Sequence, residues 1–212
     1  MSELINNITV NAQSSIRIAA EKVIYFDPFK ITDAAKDADI IFITHEHFDH
    51  FSPEDIAKVV SDNTVFAVPA SMEKAALASG ISKDKLVTLT PDTKTEVCGI
   101  PVETIPAYNP GKKFHPRDNN WLGYIITVDG QRVYVAGDTD VTPEAKSVSC
   151  DIAMIPIGGT FTMDFREAAD FINELKLGTV IPTHYGSVVG NADDGESFKN
   201  LVGSSAEVVL KL

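Results

Sequence analysis

Short apolar segments rich in β-branched residues recur along the whole chain, and turn-forming residues separate most of them. Segments of this length and composition are typical of β-strands. One of them, the run Asp-Ile-Ile-Phe-Ile-Thr at 39–44, is almost continuously apolar, as expected for a strand covered on both faces. The pattern predicts strands at 8–10, 15–19, 23–26, 39–44, 64–68, 85–89, 95–97, 102–106, 122–128, 132–136, 151–155, 179–182 and 207–210.

A smaller number of segments show the features of helices. Ser52 and Pro53 are a typical N-cap and first helical residue. Apolar residues from Phe165 to Leu175 recur at helical spacing. The pattern predicts helices at 53–60, 71–79, 165–177 and 197–202. Strands in both halves with helices between them favour two central sheets with helices outside, and no linker divides residues 1–212, so we predict one domain.

The histidines are concentrated in one motif. Three of the five lie within six residues, in the sequence Thr-His-Glu-His-Phe-Asp-His at 44–50, directly after the strand predicted at 39–44. Alternate residues leaving a strand project to the same side, so His45 and His47 can share one metal ion. Asp49 and His50 follow at the next turn and can face a second ion. Imidazole and carboxylate ligands suit Zn²⁺ and also accept Mn or Fe.

Two other strand ends carry residues of the same kind. Asp138 follows the apolar segment that ends at Gly137, and His184 follows the strand predicted at 179–182. Either residue alone would fit an ordinary turn. Together with the first motif, they supply the bridging carboxylate and the distant ligand that a two-metal site needs.

In order and spacing, these three motifs resemble those of the metallo-β-lactamase superfamily, in particular the branch of the ascorbate-6-phosphate lactonase and the N-acyl-phosphatidylethanolamine phospholipase D. The resemblance implies an α/β fold, a four-layer αββα sandwich with two divalent ions at one edge. It implies that the first ion is held by His45 and His47 and the second by Asp49, His50 and His184, with Asp138 bridging both. Asp27 resembles the aspartate that orients a ligand histidine, although a turn role fits it equally.

The chain departs from this family in one motif. The family supplies a third histidine to the first ion from a loop between the two halves, and the residue that most resembles it here is Asn109. His115 follows six residues later. Either the loop bends so that His115 becomes the ligand, or His115 lines the pocket, where it could stabilise a developing oxyanion, and the first ion is under-coordinated. An ordinary surface histidine is the third alternative.

The loop that contains these two residues also carries cations. Lys112, Lys113 and Arg117 precede its first acid, Asp118. Such a loop predicts a small anionic substrate, although a solvated surface loop would look the same. Other candidate substrate contacts are Tyr108 and Tyr185 as pocket walls and Gly159, whose backbone N–H could approach a ligand or close a tight turn.

Composition narrows the function further. The net charge of −12 disfavours nucleic-acid binding. Two separated cysteines, no signal-peptide pattern and no membrane-spanning apolar run predict a cytoplasmic protein. A monomer and a homo-oligomer both fit the sequence.

The motifs therefore predict an enzyme, a binuclear metal-dependent hydrolase of the lactonase or phosphodiesterase type. It would use a metal-bridged hydroxide to cleave a small ester, lactone or phosphodiester, with Asp49 orienting the nucleophile and moving its proton. The alternative is a non-catalytic or mononuclear metal-binding protein with a degenerate site.

Overall fold

The computed structural model describes residues 3–175 and 177–212, which form two β-sheets packed face to face. The first sheet is antiparallel over its first three strands and parallel over the rest. Its strands follow chain order: β1 (Ile8–Val10), β2 (Ile16–Ala19), β3 (Val23–Phe26), β4 (Ala38–Phe42), β5 (Val60–Pro69) and β6 (Leu86–Leu89).

The second sheet also combines antiparallel and parallel pairs. It is antiparallel from β7 to β10 and parallel from β10 to β13. Its strands are β7 (Lys94–Val97), β8 (Ile100–Pro106), β9 (Leu122–Val128), β10 (Gln131–Val135), β11 (Ile152–Pro156), β12 (Thr179–Thr183) and β13 (Glu207–Val208).

One helix precedes the first strand, and the others lie in connections between strands. They are α1 (Glu3–Asn6), α2 (Pro53–Val59), α3 (Glu73–Ala78), α4 (Pro143–Lys146), α5 (Phe165–Leu175) and α6 (Asp194–Val202), with short 3₁₀ turns at Ala70–Met72, Lys83–Lys85 and Arg117–Asn119. None of the helices in the described part of the chain is long and apolar enough to cross a membrane.

Alternation along the strands creates three apolar layers. In β4, Ile40 and Phe42 pack against the second sheet, while Ile41 lies in a cluster with α2 and α3 on the outer face. In β11, Met154 faces the first sheet and Ile155 faces α5 and α6. Because successive side chains of a strand point to opposite faces, both sheets are covered on both sides, which confirms the αββα sandwich. That residues 1–212 form one domain stays a prediction.

The predicted elements are recovered, with differences mainly at their ends. The Asp129-Gly130 turn joins β9 to β10, and both residues have positive φ, as a two-residue hairpin of this type requires. The helix predicted at 71–79 begins as a 3₁₀ turn, and α1 and α4 have no counterpart among the predicted elements. The helix predicted at 165–177 ends at Leu175, and Lys176 lies outside the described residues.

Candidate metal centre

All five histidines of the chain meet at one edge of the sandwich, where strands from both sheets end. His45 follows β4 and His184 follows β12, while Asp138 follows β10. Two hydrogen bonds fix the sheets to each other beside this edge: Tyr124 Oη donates to the carbonyl of Ile43 at 2.7 Å, and the amide of Leu122 donates to Thr44 at 3.1 Å.

The first group of ligand atoms comes from His45, His47 and His115, whose ring nitrogens lie within 4.8 Å of one another. His45 Nε2 is 3.1 Å from His47 Nδ1. The two rings project to the same side, as the alternation of the motif predicts. His115 approaches them from the loop between β8 and β9.

The second group comes from Asp49, His50 and His184, which again offer ligand atoms within 4.8 Å of one another. Asp49 Oδ2 lies 3.3 Å from His184 Nε2 and 3.7 Å from His50 Nε2. Asp49 and His50 are neighbours in the first motif, whereas His184 follows β12 in the other half of the chain, and the packing of the two sheets brings it to them.

Asp138 lies between the two groups. Its Oδ2 is 3.3 Å from His115 Nε2 and 3.2 Å from His184 Nε2, and its Oδ1 is 3.3 Å from His50 Nε2. One carboxylate therefore faces both groups, which is the position of a bridging ligand. Gly137 makes this approach possible, because its φ is +65° and an added Cβ would lie 3.1 Å from Thr44 Cβ.

The buried polar atoms of the site fit divalent cations. Among the candidate ligand residues, five buried atoms find no hydrogen-bond partner in the described part of the chain: His50 Nε2, His115 Nε2, His184 Nδ1, His184 Nε2 and Asp138 Oδ1. Buried polar groups are normally paired, and the three Nε2 atoms lie within 3.3 Å of the Asp138 carboxylate. Imidazole nitrogens with a carboxylate oxygen are the donor set that Zn²⁺ and similar cations take.

The electrostatics of the site reflect its burial. Burial, helped by neighbouring histidines, holds the pKa of His45 well below its usual value. Burial would also lower the pKa of His184, but the carboxylates of Asp138 and Asp49 outweigh it and raise that pKa to about 9. For the Asp138 carboxyl, burial would raise the pKa, but His184 and His50 outweigh it and hold the pKa well below the usual range. The carboxylates thus attract positive charge into the site.

Asp27 and Thr44 hold the second group in place. Asp27 Oδ2 lies 2.7 Å from His50 Nδ1, and the same carboxylate accepts hydrogen bonds from the amide and the hydroxyl of Thr44 at 2.8 and 2.7 Å. These contacts assign the Nδ1 proton of His50 to the side facing Asp27 and leave Nε2 free for a ligand. Thr44 is a site residue that the sequence motifs did not single out.

Asn109 performs the corresponding role for His115. The loop bends back so that the backbone N–H of Asn109 donates to the backbone carbonyl of His115 at 2.9 Å. The side-chain oxygen of Asn109 also accepts a hydrogen bond from His115 Nδ1. The loop therefore brings His115 beside His45 and His47, which is the position that the first of the two predicted arrangements requires. Trp121 packs against all three rings, with centroids 4.8 to 5.5 Å away.

A pocket of about 280 Å³ opens onto the two groups of ligands. Its floor is polar and its walls are apolar. It is lined by His47, Phe48, Asp49, Phe114, His115, Asp138, Phe161, His184 and Val188. The apolar members of this set were not among the predicted substrate contacts, although Phe48 stands inside the first motif as an aromatic residue among polar ones.

Most of the predicted substrate-binding residues lie elsewhere. Lys112 is paired with Asp140 at 2.8 Å, and Arg117 is paired with Glu144 at 2.6 Å. Glu144 also accepts a hydrogen bond from the Tyr108 hydroxyl at 2.9 Å. These three side chains are therefore used in contacts within the protein, so Lys112 and Arg117 are not the free cations that the sequence predicts for this loop.

The remaining predicted contacts are also outside the pocket. Tyr185 is buried in the apolar cluster beneath α5 and α6, and Lys113 is exposed and does not line the pocket. Gly159 forms a tight turn, in which its amide donates to the carbonyl of Met163 at 2.9 Å. Of the substrate-binding candidates, only His115 lines the pocket, while Asn109 lies behind it.

Comparison with known proteins places these features in a family. The family described as the beta-lactamase superfamily domain matches residues 6–185. A UPF0173 metal-dependent hydrolase of Thermococcus onnurineus is 34% identical over 210 residues, which cover 93% of this chain and 92% of the relative.

Solved structures agree with the sequence match. A crystal structure from Parabacteroides distasonis, described as a metal-dependent hydrolase, is 32% identical, covers 97% of this chain and 92% of that one, and has a TM-score of 0.79. Igni18, a metallo hydrolase from Ignicoccus hospitalis, is 22% identical over 96% of this chain and 93% of its own, with a TM-score of 0.76, which shows a shared fold.

Proposed function

This chain belongs to the β-lactamase superfamily and, within it, to the UPF0173 metal-dependent hydrolases, and on that premise we propose that it holds two divalent cations and cleaves a small ester, lactone or phosphodiester. The observation that carries the proposal is the position of Asp138 between two separate groups of ligands. A mononuclear structural site needs only one such group.

The proposed ligand sets follow the two groups. His45, His47 and His115 hold the first cation, Asp49, His50 and His184 hold the second, and Asp138 is shared. Bound divalent cations supply Lewis acidity toward the substrate oxygen and lower the pKa of water to near neutrality. Zn²⁺ is the proposed ion, with Mn or Fe as the alternatives that the same ligands accept.

The chain itself supplies positioning and proton transfer. Asp49 lines the pocket and, with one oxygen directed at His184, can accept the proton of the attacking water and return it to the leaving group. In this proposal His115 is a ligand and does not stabilise an oxyanion, because Asn109 engages Nδ1 and Nε2 points toward Asp138. The apolar pocket wall excludes bulk water and strengthens the electrostatic interactions at the floor.

The resemblance to the lactonase and phospholipase D branch supports an ester, lactone or phosphodiester as the bond that is cleaved. The net charge of −12 favours a small molecule over a nucleic acid as substrate. The competing proposal, a non-catalytic or mononuclear protein, was based on Asn109. That argument is weaker because His115 supplies an imidazole beside His45 and His47, where the family's third histidine was otherwise missing.

The first test is the metal content of the purified protein before and after reconstitution with Zn²⁺, Mn²⁺ or Fe²⁺, measured by elemental analysis. We expect two ions per chain. The loaded enzyme is then assayed with p-nitrophenyl acetate, a thiolactone and bis-p-nitrophenyl phosphate.

The variant His184→Ala should lose metal and activity together, whereas Lys113→Ala, a change at an exposed residue of the neighbouring loop, should keep both. Full activity and intact metal content in His184→Ala would contradict the assignment. One ion per chain after every reconstitution would favour the mononuclear alternative.

A further inference from the structure

We propose that the apolar wall of the pocket selects substrates with an uncharged apolar group next to the bond that is cleaved. This group is either an aryl ring or a short acyl chain. We call this wall the apolar rim, defined by Phe48, Phe114, Phe161 and Val188. The proposal rests on the proposed function, since it names the part of the substrate that lies next to the bond being cleaved.

The rim gathers exposed apolar side chains at a single place. Phe48 is 66% exposed, Phe114 48% and Val188 40%, and these are three of the six large apolar side chains that are exposed in the described part of the chain. Scattered exposed apolar residues are normal, whereas a contiguous group at the mouth of a site indicates a binding surface.

The rim has two sides that come from different elements. On one side, Phe114 and Phe161 stack edge to face with ring centroids 4.6 Å apart, which joins the loop after β8 to the turn after β11. On the other side, Phe48 extends from the first histidine motif and touches Phe29 at 6.0 Å, again edge to face. Aromatic pairs of this geometry add stability beyond the area they bury, so the rim is built before any ligand arrives.

The charges around the pocket favour a neutral ligand. Within the described part of the chain, no lysine or arginine lines it. The nearby loop cations Lys112 and Arg117 are paired with Asp140 and Glu144, and the third, Lys113, is exposed and does not line the pocket. An anionic group on the part of the substrate that enters the rim would therefore lose its hydration against phenylalanine rings without gaining a counter-ion. This reverses the expectation of an anionic substrate that the loop sequence suggested.

The size of the pocket limits the apolar group. A volume of about 280 Å³ lies just below the range usual for ligand sites and suits a ring with a few methylene groups. Each methylene that enters such a surface should improve binding roughly fourfold. The gain should stop when the pocket is full.

The test uses the zinc-loaded enzyme and the p-nitrophenyl esters from acetate to octanoate. We expect KM to fall roughly fourfold for each added methylene up to a limit, and no such gain for the p-nitrophenyl half-esters of succinic and glutaric acid, which place a carboxylate in the rim. Phe114→Ala and Phe161→Ala should flatten the dependence of KM on chain length. Leu201→Ala removes an equally exposed side chain on α6, 48% exposed, and should leave the dependence unchanged.

A second measurement does not depend on turnover. Binding of neutral phenylalkanols, from benzyl alcohol to phenylpentanol, is measured by calorimetry with the same zinc-loaded proteins. Tighter binding of longer alcohols that is lost in Phe114→Ala supports the rim even if no ester is hydrolysed, an outcome that would count against the proposed function alone. Ester hydrolysis with a KM that does not depend on chain length, or that is lower for the half-esters, would overturn the proposal for the apolar rim. The proposed hydrolase function would then still stand. Absence of both hydrolysis and alcohol binding overturns both.

Discussion

The carboxylate of Asp27 lies 2.7 Å from Nδ1 of His50, and both side chains are completely buried. Asp27 stands at the end of β3 with a positive φ of 45°, a conformation that aspartate tolerates better than most residues. Asp27 therefore forms the turn after β3 and also orients His50. The sequence allowed either role, and the structure shows both.

Replacement of Asp27 by asparagine should weaken metal binding. The amide can still contact Thr44, but it no longer offers a full negative charge to His50 Nδ1. We expect a loss of roughly 10- to 100-fold in Zn²⁺ affinity, the usual effect of removing such a partner. Competition with a chromophoric chelator measures the affinity, and nitrogen NMR reports the His50 tautomer.

The matched control is Asp39→Asn, because Asp39 also accepts a backbone hydrogen bond, from Val23 at 2.8 Å, but lies away from the metal centre. It should cost some stability and leave the Zn²⁺ affinity alone. Equal affinities in the wild type and Asp27→Asn would show that Asp27 serves only the turn.

Asn109 should control the first metal position through His115. Asn109→Ala removes the acceptor for His115 Nδ1 but keeps the backbone hydrogen bond that closes the loop, so the fold should survive while Zn²⁺ affinity falls about tenfold. Asn109→Asp restores an acceptor and should restore the affinity. His115→Ala removes a ligand and should cost more than either.

Asn119→Ala in the same loop is the control, since no side-chain hydrogen bond of Asn119 is found among the described residues. If both Asn109→Ala and His115→Ala bound Zn²⁺ as tightly as the wild type, His115 would not be a ligand, and the first position would rest on His45 and His47 alone.

Gly158 should be required for the placement of His184. An added Cβ there would lie 2.1 Å from the His184 carbonyl oxygen and 2.7 Å from Val189 Cγ2. Gly158→Ala must therefore displace the segment that carries the ligand. We expect a loss of about 1–3 kcal/mol in the free energy of unfolding, as for other overpacked sites, together with weaker metal binding.

For comparison, an added Cβ at Gly130 meets no atom within 4 Å, although its φ is +72°. Gly130→Ala should cost only backbone strain in the hairpin and leave metal binding intact. Unchanged Zn²⁺ affinity in Gly158→Ala, measured with the same chelator, would mean that the His184 segment can yield without moving its ring.

The first sheet contains an ion pair whose effect should depend on pH. Asp37 accepts hydrogen bonds from Arg17 at 2.6 Å and from the Tyr25 hydroxyl at 2.8 Å. Partial burial would raise the pKa of the Asp37 carboxyl, but these donors outweigh burial and lower it. A lowered pKa stabilises the fold above the unfolded-state pKa, and this contribution disappears as the pH falls through the native pKa.

Asp37→Asn should therefore lower the free energy of unfolding at neutral pH by up to about 1 kcal/mol, and the difference from the wild type should vanish in acid. Urea unfolding between pH 7 and pH 3 measures it. Asp33→Asn, at an exposed position, is the control. A difference that persists at low pH would assign the effect to packing and not to charge.

Several parts of the fold and the site could be predicted because their signals are local. Strand β4 and the motif that follows it are adjacent in sequence. The apolar segment therefore predicts the strand, and the spacing of His45 and His47 predicts that their rings project to the same side. The turn at Asp129-Gly130 is equally local. The limits of β5 and α6 were less predictable, because tertiary packing extends both beyond their apolar segments.

The free cysteines illustrate the same limit. A free cysteine is usually a small buried side chain, yet Cys98 is exposed in the turn between β7 and β8, and Cys150 is partly buried against the core. Whether a side chain at a turn is buried depends on tertiary contacts with distant parts of the chain. The neighbouring residues in the sequence do not predict those contacts.

The sequence by itself determined most of the candidate ligand residues, because these residues follow strands whose ends a sandwich of two sheets brings to one edge. Only the tertiary structure decided that His115 joins His45 and His47, since this depends on the bend of a loop. It also decided the character of the pocket. Lys112 and Arg117 meet acids 28 and 27 residues away, and pairing at that distance is set by how the sheets and loops pack.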